Sequence, residues 1–458
     1  MSGEGLPLNG SWGFQMTVCF RCLALLLLGM PGAVGATGWF VNQQSVLAIG
    51  RAGAGTVVDT ADPAAAYFNP AALLSPGTNY GSGTEWSLGA QVLTPRASLR
   101  DLGSTARSPG TGLVAQPYPG TGFDNPTDPT PVPNLFVVHR LSDGRTALAA
   151  GLTSAFGLSS TFSPEWFGRY DSTRVSLETV NLTVSAARLL TDTLSIGGGI
   201  DWQHAQSDLQ SALPDPFAVV PTASTDGSTR LRGSGSGVGM HFGVSWAATP
   251  ALRVGAHYRS GMDIAISGTN TIQGLTGLLA GANGTVGATT ELRMPAMAGL
   301  GVAWTASQSL TVFAQLDTYG WGRFGDLRVR LADGSADLVR PSGYRDASAV
   351  SLGLQWQRSE SLVLRAGVRR EQTPTTDGLR DTTFPDGART WLTAGASLRA
   401  GARSTIDLAL KHAMFEDGRI DLSRSFYGGT PLATTVQMSG VARSPSVTTI
   451  GVAWRLRL

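Results

Sequence analysis

Apolar and small or polar residues alternate in runs of about ten along most of the chain, from about residue 84 to the C-terminus. In the last run the apolar positions are Ile450, Val452, Trp454, Leu456 and Leu458, and the positions between them are small or polar. A β-strand with one face against lipid shows this pattern. A soluble β-sandwich also alternates, so the pattern alone leaves both classes open.

The connections between these runs favour a membrane barrel. Short links and long polar links alternate strictly; the short links begin near Ser142, Leu190, Ala248, Thr305, Arg358 and Ala400. The long links cover about residues 100–133, 160–173, 209–235, 268–289, 331–345, 372–388 and 417–445. Six short turns, with both chain ends on the same side, require seven outward hairpins and hence fourteen strands. The sequence therefore predicts an all-β protein, a 14-stranded antiparallel transmembrane β-barrel. The barrel must close, because an open sheet edge in lipid leaves backbone groups unpaired.

Composition agrees with this class. Charged residues make up 14% of the 458 residues, against about 25% in soluble domains. Beyond residue 36 there is no apolar run of about 18 residues, the length that a membrane-spanning helix needs. The sequence therefore excludes the class of helical membrane proteins. The net charge of +2 argues against a nucleic-acid partner.

The N-terminus is typical of an export signal. Arg21 precedes the apolar run from Leu23 to Leu28, and Val34, Gly35 and Ala36 resemble a cleavage site. The alternative is a short buried helix. We predict a cleaved signal peptide at residues 1–36, and with it both cysteines, Cys19 and Cys22, would be removed. A chain exported without disulfides or a lipid anchor fits the bacterial envelope.

The segment between the signal and the first strand is too apolar for a free tail and too irregular for a strand. A fourteen-stranded barrel is wider than one whose own side chains fill its interior. We therefore predict a compact N-terminal hatch at residues 37–78, inside a barrel formed by residues 79–458. Within the hatch, the step from Asn69 to Pro70 should break the helix that the neighbouring alanines favour.

Several pieces of the chain, in order, resemble the FadL family of outer-membrane transporters of long-chain fatty acids and of hydrocarbons such as aromatics. They are GRAGAG, DTADPAAAYFNPA, VPNLFVV, GLTSAFGLSSTF, SGYRDASAVSLGL and TWLTAGASLR. The resemblance implies passive uptake through a gap in the barrel wall, where the third strand kinks inward. By the same resemblance, the gating residues would be Asn69, Pro70 and Ala71 in the hatch, in contact with Ser154, Phe156 and Gly157 in the kinked strand. The alternative is an ordinary loop turn.

The resemblance also implies two ligand sites, a groove between outer loops and a site in the lumen. For the groove, the residues at helix-like spacing in the loop 268–289 are Ile272, Leu275, Leu278 and Leu279, with Phe217 on the opposing loop. The alternative is that these leucines pack on the neighbouring loop. For the lumen, Trp39 and Phe40 would line the pocket, and Arg340 would lie near a carboxylate. An arginine exposed to water is the alternative for Arg340, and Ser211 stands where relatives place another arginine.

Two other functions stay open on the sequence: a general porin for small polar solutes and a barrel enzyme that acts on lipids. The five histidines have no metal-ligand spacing, and we predict no cofactor, metal or catalytic residue. The predicted location is the outer membrane of a Gram-negative-type bacterium. The predicted partners are outer-membrane lipid, a hydrophobic small molecule and the outer-membrane assembly machinery, and we expect a monomer.

Overall fold

The computed structural model describes residues 40–41, 43–59, 61–74, 81–382 and 386–458. The predicted signal peptide and the candidate residue Trp39 lie outside these ranges, so their predicted roles stay predictions. Among the described residues, no helix combines the length and apolarity needed to cross a membrane.

Fourteen long antiparallel strands form the molecule, several of them in two segments. They are β1 (Gly83–Asp101), β2 (Thr130–Arg140), β3 (Thr146–Thr153 and Gly157–Thr161), β4 (Arg174–Leu189), β5 (Leu194–Leu213), β6 (Gly227–Thr249), β7 (Leu252–Arg259 and Met262–Gln273), β8 (Gly284–Met294 and Met297–Thr305), β9 (Leu310–Tyr319 and Leu327–Leu331), β10 (Leu338–Arg340 and Ala347–Ser359), β11 (Leu362–Glu371), β12 (Arg389–Arg399), β13 (Ser404–Phe415 and Gly418–Phe426) and β14 (Thr434–Arg457).

The sheet closes on itself. β1 pairs with β2 on one side and with β14 on the other, in a register that runs from Glu85 opposite Arg457 to Asp101 opposite Gly440. The predicted class and the number of strands are confirmed. Closure gives each edge strand a partner, which is the physical requirement for strands that cross lipid.

Apolar side chains cover the outside of the barrel. Large exposed residues include Leu88, Val184, Ile200, Phe242, Leu300, Leu408 and Ile450. Exposed tryptophans stand near the ends of the strands that carry the short turns: Trp86, Trp246, Trp304, Trp356 and Trp454. Such an aromatic girdle marks the boundary between lipid and water.

Three predicted loops are too long. β5 extends to Leu213, and β6 begins at Gly227. β7 extends to Gln273, and β8 begins at Gly284. β13 extends to Phe426, and β14 begins at Thr434. The hairpins therefore extend beyond the apolar belt. Their polar residues keep the alternating backbone pairing with neighbouring strands, which hydropathy does not reveal.

The hatch fills the inside of the barrel. Its described residues, 40–41, 43–59 and 61–74, contain helix α1 (Val46–Gly50), helix α2 (Ala65–Phe68) and a 3₁₀ turn at Pro70–Leu73, all buried. Glycines on the inner wall allow the close approach: a β-carbon on Gly367 would lie 2.4 Å from the carbonyl carbon of Arg51, and one on Gly255 would lie 2.2 Å from the Val57 oxygen. The wall is shaped for the hatch backbone.

The Asn-Pro step breaks the hatch helix as predicted. α2 ends at Asn69, whose backbone is extended, and Pro70 begins the following 3₁₀ turn. The Asn69 side chain accepts a hydrogen bond from the Ala71 N–H (3.1 Å), so one residue ends the first helix and caps the second. Pro70, which has no N–H, fits the first position of that turn.

Candidate functional site

The third strand is interrupted where the sequence predicts a kink. β3 pairs with β2 as far as Leu152 opposite Leu135, and after residues 154–156 its second segment pairs only with β4. The facing residues of β2, 130–134, pair only with β1. The ladder between β2 and β3 is therefore interrupted, and we call this interruption the kink gap.

The first hatch residues hold the kink. The Gln44 side chain donates from Nε2 to the Ser154 carbonyl (2.9 Å) and accepts from the Ser154 N–H (3.2 Å). Val41 N–H donates to the Ala155 carbonyl (2.8 Å), and Phe40 pairs with Phe156 in an antiparallel bridge. The hatch residues Phe40, Val41 and Gln44 thus take the place of a strand neighbour along the edge of β3 that β2 does not pair with.

We expected Asn69, Pro70 and Ala71 of the hatch to contact the kinked strand. This is wrong for the hydrogen bonds of Asn69 and Ala71, which join other parts of the molecule. Asn69 Nδ2 donates to the Val57 carbonyl (2.6 Å) and to the Val244 carbonyl (3.0 Å) of β6. Ser195 of β5 donates to the Ala71 carbonyl (2.7 Å). The physical reason is geometric, since Gly243 gives the Asn69 side chain room that a β-carbon would remove, so the element binds β5 and β6. At the kink, Phe156 bonds Thr179 of β4 instead.

A buried polar cluster on β4 to β7 clamps α2. Asp201 forms an ion pair with Arg259 and a hydrogen bond with His241. Arg259 also donates to the Tyr67 carbonyl (2.5 Å) and lies over the Tyr67 ring (3.9 Å). Ser185 Oγ donates to the Ala66 carbonyl (2.8 Å). The carbonyls at the end of α2, which lack partners within so short a helix, are satisfied by the wall.

This cluster contains a serine, a histidine and an aspartate in series. Ser185 Oγ lies 3.0 Å from His241 Nε2, and His241 Nδ1 lies 2.7 Å from Asp201 Oδ2. The spacing is that of a nucleophile, a base and its orienting acid. However, all three side chains are buried, and a Ser185 hydroxyl that donates to Ala66 has no second proton for His241. The arrangement serves as a hatch attachment.

Aromatic rings line the lumen beside the kink. The Phe40 ring lies 5.0 Å from the Phe156 ring and 5.6 Å from the Tyr319 ring, and Phe156 meets Trp321 edge-on at 6.2 Å. Trp321 in turn contacts Tyr344 at 5.7 Å. Phe40 thus lies among lumen aromatics as expected, although its ligand role remains a prediction.

The lumen beside Phe40 is almost filled. A cavity of about 30 Å³ lies between hatch and wall, lined by residues that include Phe40, Gln43, Tyr67, His257, Tyr319 and Arg369. That volume is about what one water molecule needs. A hydrophobic ligand can enter this part of the lumen only if residues of the hatch move.

A larger cavity of about 200 Å³, which we call the vestibule, lies above it among the outer loops. Its apolar lining comprises Leu209, Leu231, Leu327, Val329, Leu338, Val339 and Phe426. Arg340 and Ser211 also line it. These lining residues lie far apart in the sequence, on β5, β6, β9, β10 and β13, and only the folded barrel brings them together.

Arg340 is not a free loop cation. Its guanidinium lies 3.0 Å from Asp171 and 3.4 Å from Asp381, and Arg424 also binds Asp171 (2.7 Å). Burial alone would raise the pKa of Asp171, but Arg340, Arg424 and two hydrogen bonds from Thr382 outweigh burial and hold that pKa well below its usual range. The alternative of an arginine in open water is therefore wrong, and a carboxylate ligand would have to compete with Asp171.

The predicted helical face on the loop 268–289 is wrong. Ile272 lies on β7, Leu275 is buried against Gly227, and Leu278 and Leu279 sit on a 3₁₀ turn at the hairpin tip, where Leu278 is 85% exposed. Phe217 lies on another loop, where the Gly110 N–H donates to the Pro216 carbonyl (2.8 Å). β-pairing with β6 replaces the helix, so these residues do not form one apolar stripe.

Two functional residues escaped the sequence interpretation. Gln44 belongs to a run of two glutamines in an apolar segment. This run was the available signal, because a buried amide can pair with both a backbone donor and a backbone acceptor. Asp171 gave no local signal, because its partners are distant in sequence. Within the described ranges, no cluster of side chains is suited to hold a metal ion.

Comparison with known proteins identifies the family. A family model described as "Outer membrane protein transport protein (OMPP1/FadL/TodX)" matches residues 29–449. The "Long-chain fatty acid transport protein" of Escherichia coli O6:H1 is 26% identical over 431 residues, which cover 87% of this chain and 89% of that protein. "Outer membrane protein P1" of Haemophilus influenzae is 24% identical over 413 residues, covering 84% of this chain and 88% of that protein.

Solved structures share the fold. A FadL homologue from Pseudomonas aeruginosa matches with a TM-score of 0.78 at 21% identity, covering 92% of this chain and 99% of that one. The Pseudomonas putida toluene transporter TodX matches with a TM-score of 0.65 at 18% identity, covering 92% and 100%. This chain belongs to the OMPP1/FadL/TodX family of outer membrane transport proteins, and its place is the bacterial outer membrane.

Proposed function

We propose that this protein is a passive channel for hydrophobic molecules, which enter among the outer loops, bind in the lumen and leave sideways through the kink gap. The observation that carries the proposal is the contact of Phe40, Val41 and Gln44 with the kinked strand. The segment that fills the lumen also covers the edge of the opening, through Phe40 against Phe156 and Gln44 against Ser154. Binding and opening are thereby coupled through one piece of chain.

The coupling follows from volume. A dry cavity of about 150 Å³ is enough to hold benzene in another protein. The lumen cavity of about 30 Å³ is far smaller, whereas the vestibule of about 200 Å³ is large enough. A one-ring hydrocarbon therefore fits the vestibule as it stands, and it reaches the lumen only by displacing Phe40. That displacement removes the bridge to Phe156 and frees the kink.

Apolar residues line the proposed route between the two cavities. Ile264, Ile266, Leu292 and Met294 are buried in the same apolar cluster as Phe40 and Phe156. Each CH₂ group that leaves water for such a wall gains about 0.8 kcal/mol. The protein then needs only to remove the polar barrier between water and membrane, and the sequence contains no motif for energy coupling. Transport would run down the concentration gradient.

We propose long-chain fatty acids or related hydrocarbons, including aromatics, as substrates. One relative is a long-chain fatty acid transport protein, and one solved structure with the same fold is a toluene transporter. Arg340 supports a contact with a carboxylate only in part, because Asp171 and Asp381 already share its charge. Phe217, Leu278 and the neighbouring loop residues remain the proposed first contact at the surface, and both are exposed.

The other proposals concern organisation. We propose cleavage after residue 36, a hatch at 37–78, and a monomer inserted by the outer-membrane assembly machinery. The porin alternative requires an open, polar lumen, and the packed hatch argues against it. The lipid-enzyme alternative gains one observation, the series Ser185, His241 and Asp201, although the serine lies behind the hatch.

Uptake by reconstituted protein tests the proposal. Purified full-length protein in lipid vesicles is given radiolabelled oleate, toluene or a hydrophilic sugar. We expect saturable uptake of at least one hydrophobic probe, lowered in Trp39→Ala or Arg340→Ala, and no sugar permeation. Sugar flux with no hydrophobic uptake would support a porin. Hydrolysis of a lipid ester that disappears in Ser185→Ala would support the enzyme.

A further inference from the structure

A second interruption of the barrel wall lies between β8 and β9. Pairing between β8 and β9 stops after Met297 opposite Tyr319 and resumes only at Thr290 opposite Val329. Between these points β8 is broken at Pro295, and β9 leaves the sheet as a 3₁₀ turn at Trp321–Phe324. Here too, the two neighbouring strands are not joined by a continuous ladder.

Residues 320–325 close this second interruption like a lid. Gly320 N–H donates to the Ala296 carbonyl (2.8 Å), and Gly325, with φ of 60°, ends the turn. Glycine tolerates such a left-handed backbone, so the turn has a permissive residue at each end. Hinges of moving loops are commonly built from a few such residues.

A latch on the outside holds the lid. Arg323 donates to both carboxylate oxygens of Asp263 on β7 (2.9 and 3.0 Å) and to the Met294 carbonyl on β8 (3.2 Å). Gly261 makes room for the guanidinium, since a β-carbon there would lie 1.9 Å from Arg323 Nη1. The Arg323 and Asp263 side chains are 36% and 50% exposed, and because water screens the charges, such an ion pair adds little stability. The lid is also held by the Gly322 N–H, which donates to Asp346 (2.8 Å), so opening would break both contacts.

The lid separates an outer cleft from the lumen. Outside lies a cleft of about 560 Å³, lined by Ser267, Thr289, Glu291, Arg293 and other residues. Inside, Trp321 is fully buried and meets Phe156 edge-on, and Leu292 and Met294 belong to the apolar cluster of the lumen. The lid therefore carries one side chain into the lumen and one onto the outer wall.

The height of the opening indicates what could pass. On β8 the outward side chains Trp304 and Leu300 belong to the apolar belt, and the next charged outward residues toward the outer loops are Arg293 and Glu291, which flank the opening. The opening therefore begins where the belt ends. On a barrel with its short turns in the periplasm, that level is the boundary of the outer leaflet.

We propose that residues 320–325 are the lid of a second lateral opening, latched by Arg323 and Asp263, through which lipophilic molecules dissolved in the outer leaflet enter the lumen. The role of this opening as an entrance for lipophilic molecules rests on the proposed function, whereas the existence of the opening does not. The contact between Trp321 and Phe156 places this lid next to the kink gap, so a ligand that enters here meets the residues that hold the kink.

A thiol behind the lid tests the opening. Leu292→Cys places a thiol on the inner wall of β8, in a mature chain that is predicted to have no other cysteine. Full-length protein in vesicles is treated with a long-chain N-alkyl maleimide dissolved in the bilayer. Adding Arg323→Ala should speed labelling up to about fivefold, the factor that corresponds to about 1 kcal/mol.

Three controls make the result decisive. Arg188→Ala, which removes the exposed ion pair with Asp143, should leave the rate at Leu292→Cys unchanged. A thiol at Val138→Cys, on the inner face of β2, should keep its rate in Arg323→Ala. The inference is overturned if Arg323→Ala leaves Leu292→Cys labelling unchanged, or if both thiols speed up equally. Labelling that depends on Arg323 in a protein that takes up no hydrophobic probe would keep the opening and reject the proposed function.

Discussion

Gln44 satisfies both backbone groups of Ser154 with one side chain, donating to its carbonyl and accepting from its N–H. An amide side chain is suited to this, because it carries a donor and an acceptor side by side. The interruption of β3 leaves these groups without a strand neighbour, and Gln44 supplies one from the hatch. In the proposed mechanism, the closed state of the kink gap therefore depends on the positions of Phe40, Val41 and Gln44.

Gln44→Leu should make the kink gap easier to open. The substitution keeps the volume but removes both hydrogen bonds, and leaving the two Ser154 groups unpaired costs the closed state about 1 to 3 kcal/mol. We expect hydrophobic uptake to reach half saturation at a concentration at least about fivefold lower. Uptake by reconstituted protein measures this. Gln357→Leu on the exposed end of β10 is the matched control and should behave like the parent.

Asn69→Ala should loosen the hatch without opening the kink gap directly. It removes the cap on Ala71 and both bonds to Val57 and Val244, at a cost of about 1 to 3 kcal/mol. Hydrogen exchange followed by mass spectrometry should show lower protection across residues 65–74. Asn69→Asp keeps the capping oxygen but loses both donors, and should be nearly as disruptive. Protection equal to that of Asn283→Ala, at the hairpin tip, would contradict this role.

Asp62 should make docking of the hatch depend on pH. Burial, and to a lesser degree the Asp59 charge, raise the pKa of Asp62 to about 6. A carboxyl group whose pKa is raised in the docked state favours that state when protonated, so docking weakens as pH rises from about 4 to about 6. The full difference is on the order of 3 kcal/mol. Hatch exchange, corrected for intrinsic rates, should therefore be slower at pH 5 than at pH 7.5, and this difference should vanish in Asp62→Asn.

Asp171→Asn should weaken the contacts between the outer segments around the vestibule, which we call its roof. Asp171 joins Arg340, Arg424 and Thr382, which come from three different outer segments. Removing the charge leaves two partly buried guanidinium groups short of a partner, which in buried sites costs about 3 to 5 kcal/mol. Because the pKa of Asp171 is depressed, the parent should keep this roof down to strongly acidic pH. Proteolysis at residues 160–173 should accelerate in the variant, and an unchanged cleavage rate would refute the role.

The barrel was predictable because lipid imposes a simple rule on sequence. Each strand must turn apolar residues outward, so alternation such as Ile450, Val452 and Trp454 marks strands, and link lengths give their number. The same rule fails beyond the belt. There both strand faces are polar, and the hairpin around Ile272 could not be told from a loop with helical spacing.

The site was predictable only in outline. The kink at residues 154–156 and the position of Phe40 follow from the resemblance, and the structure brings these residues together. The partner of Asn69 could not be read from sequence, because it depends on a glycine, Gly243, in a distant strand. The ion pairs of Arg340 with Asp171 and Asp381 likewise join segments that only the closed barrel brings together.

A reversible lock at the kink tests the central claim most directly. Phe40 and Phe156 face each other in an antiparallel bridge, a placement that suits a disulfide in the double variant Phe40→Cys/Phe156→Cys. The oxidised variant should take up oleate and toluene at the background rate of empty vesicles, and reduction should restore uptake. Neither oxidation nor reduction should change uptake by the parent protein. Uptake that is equally fast with the crosslink fully formed would contradict the account.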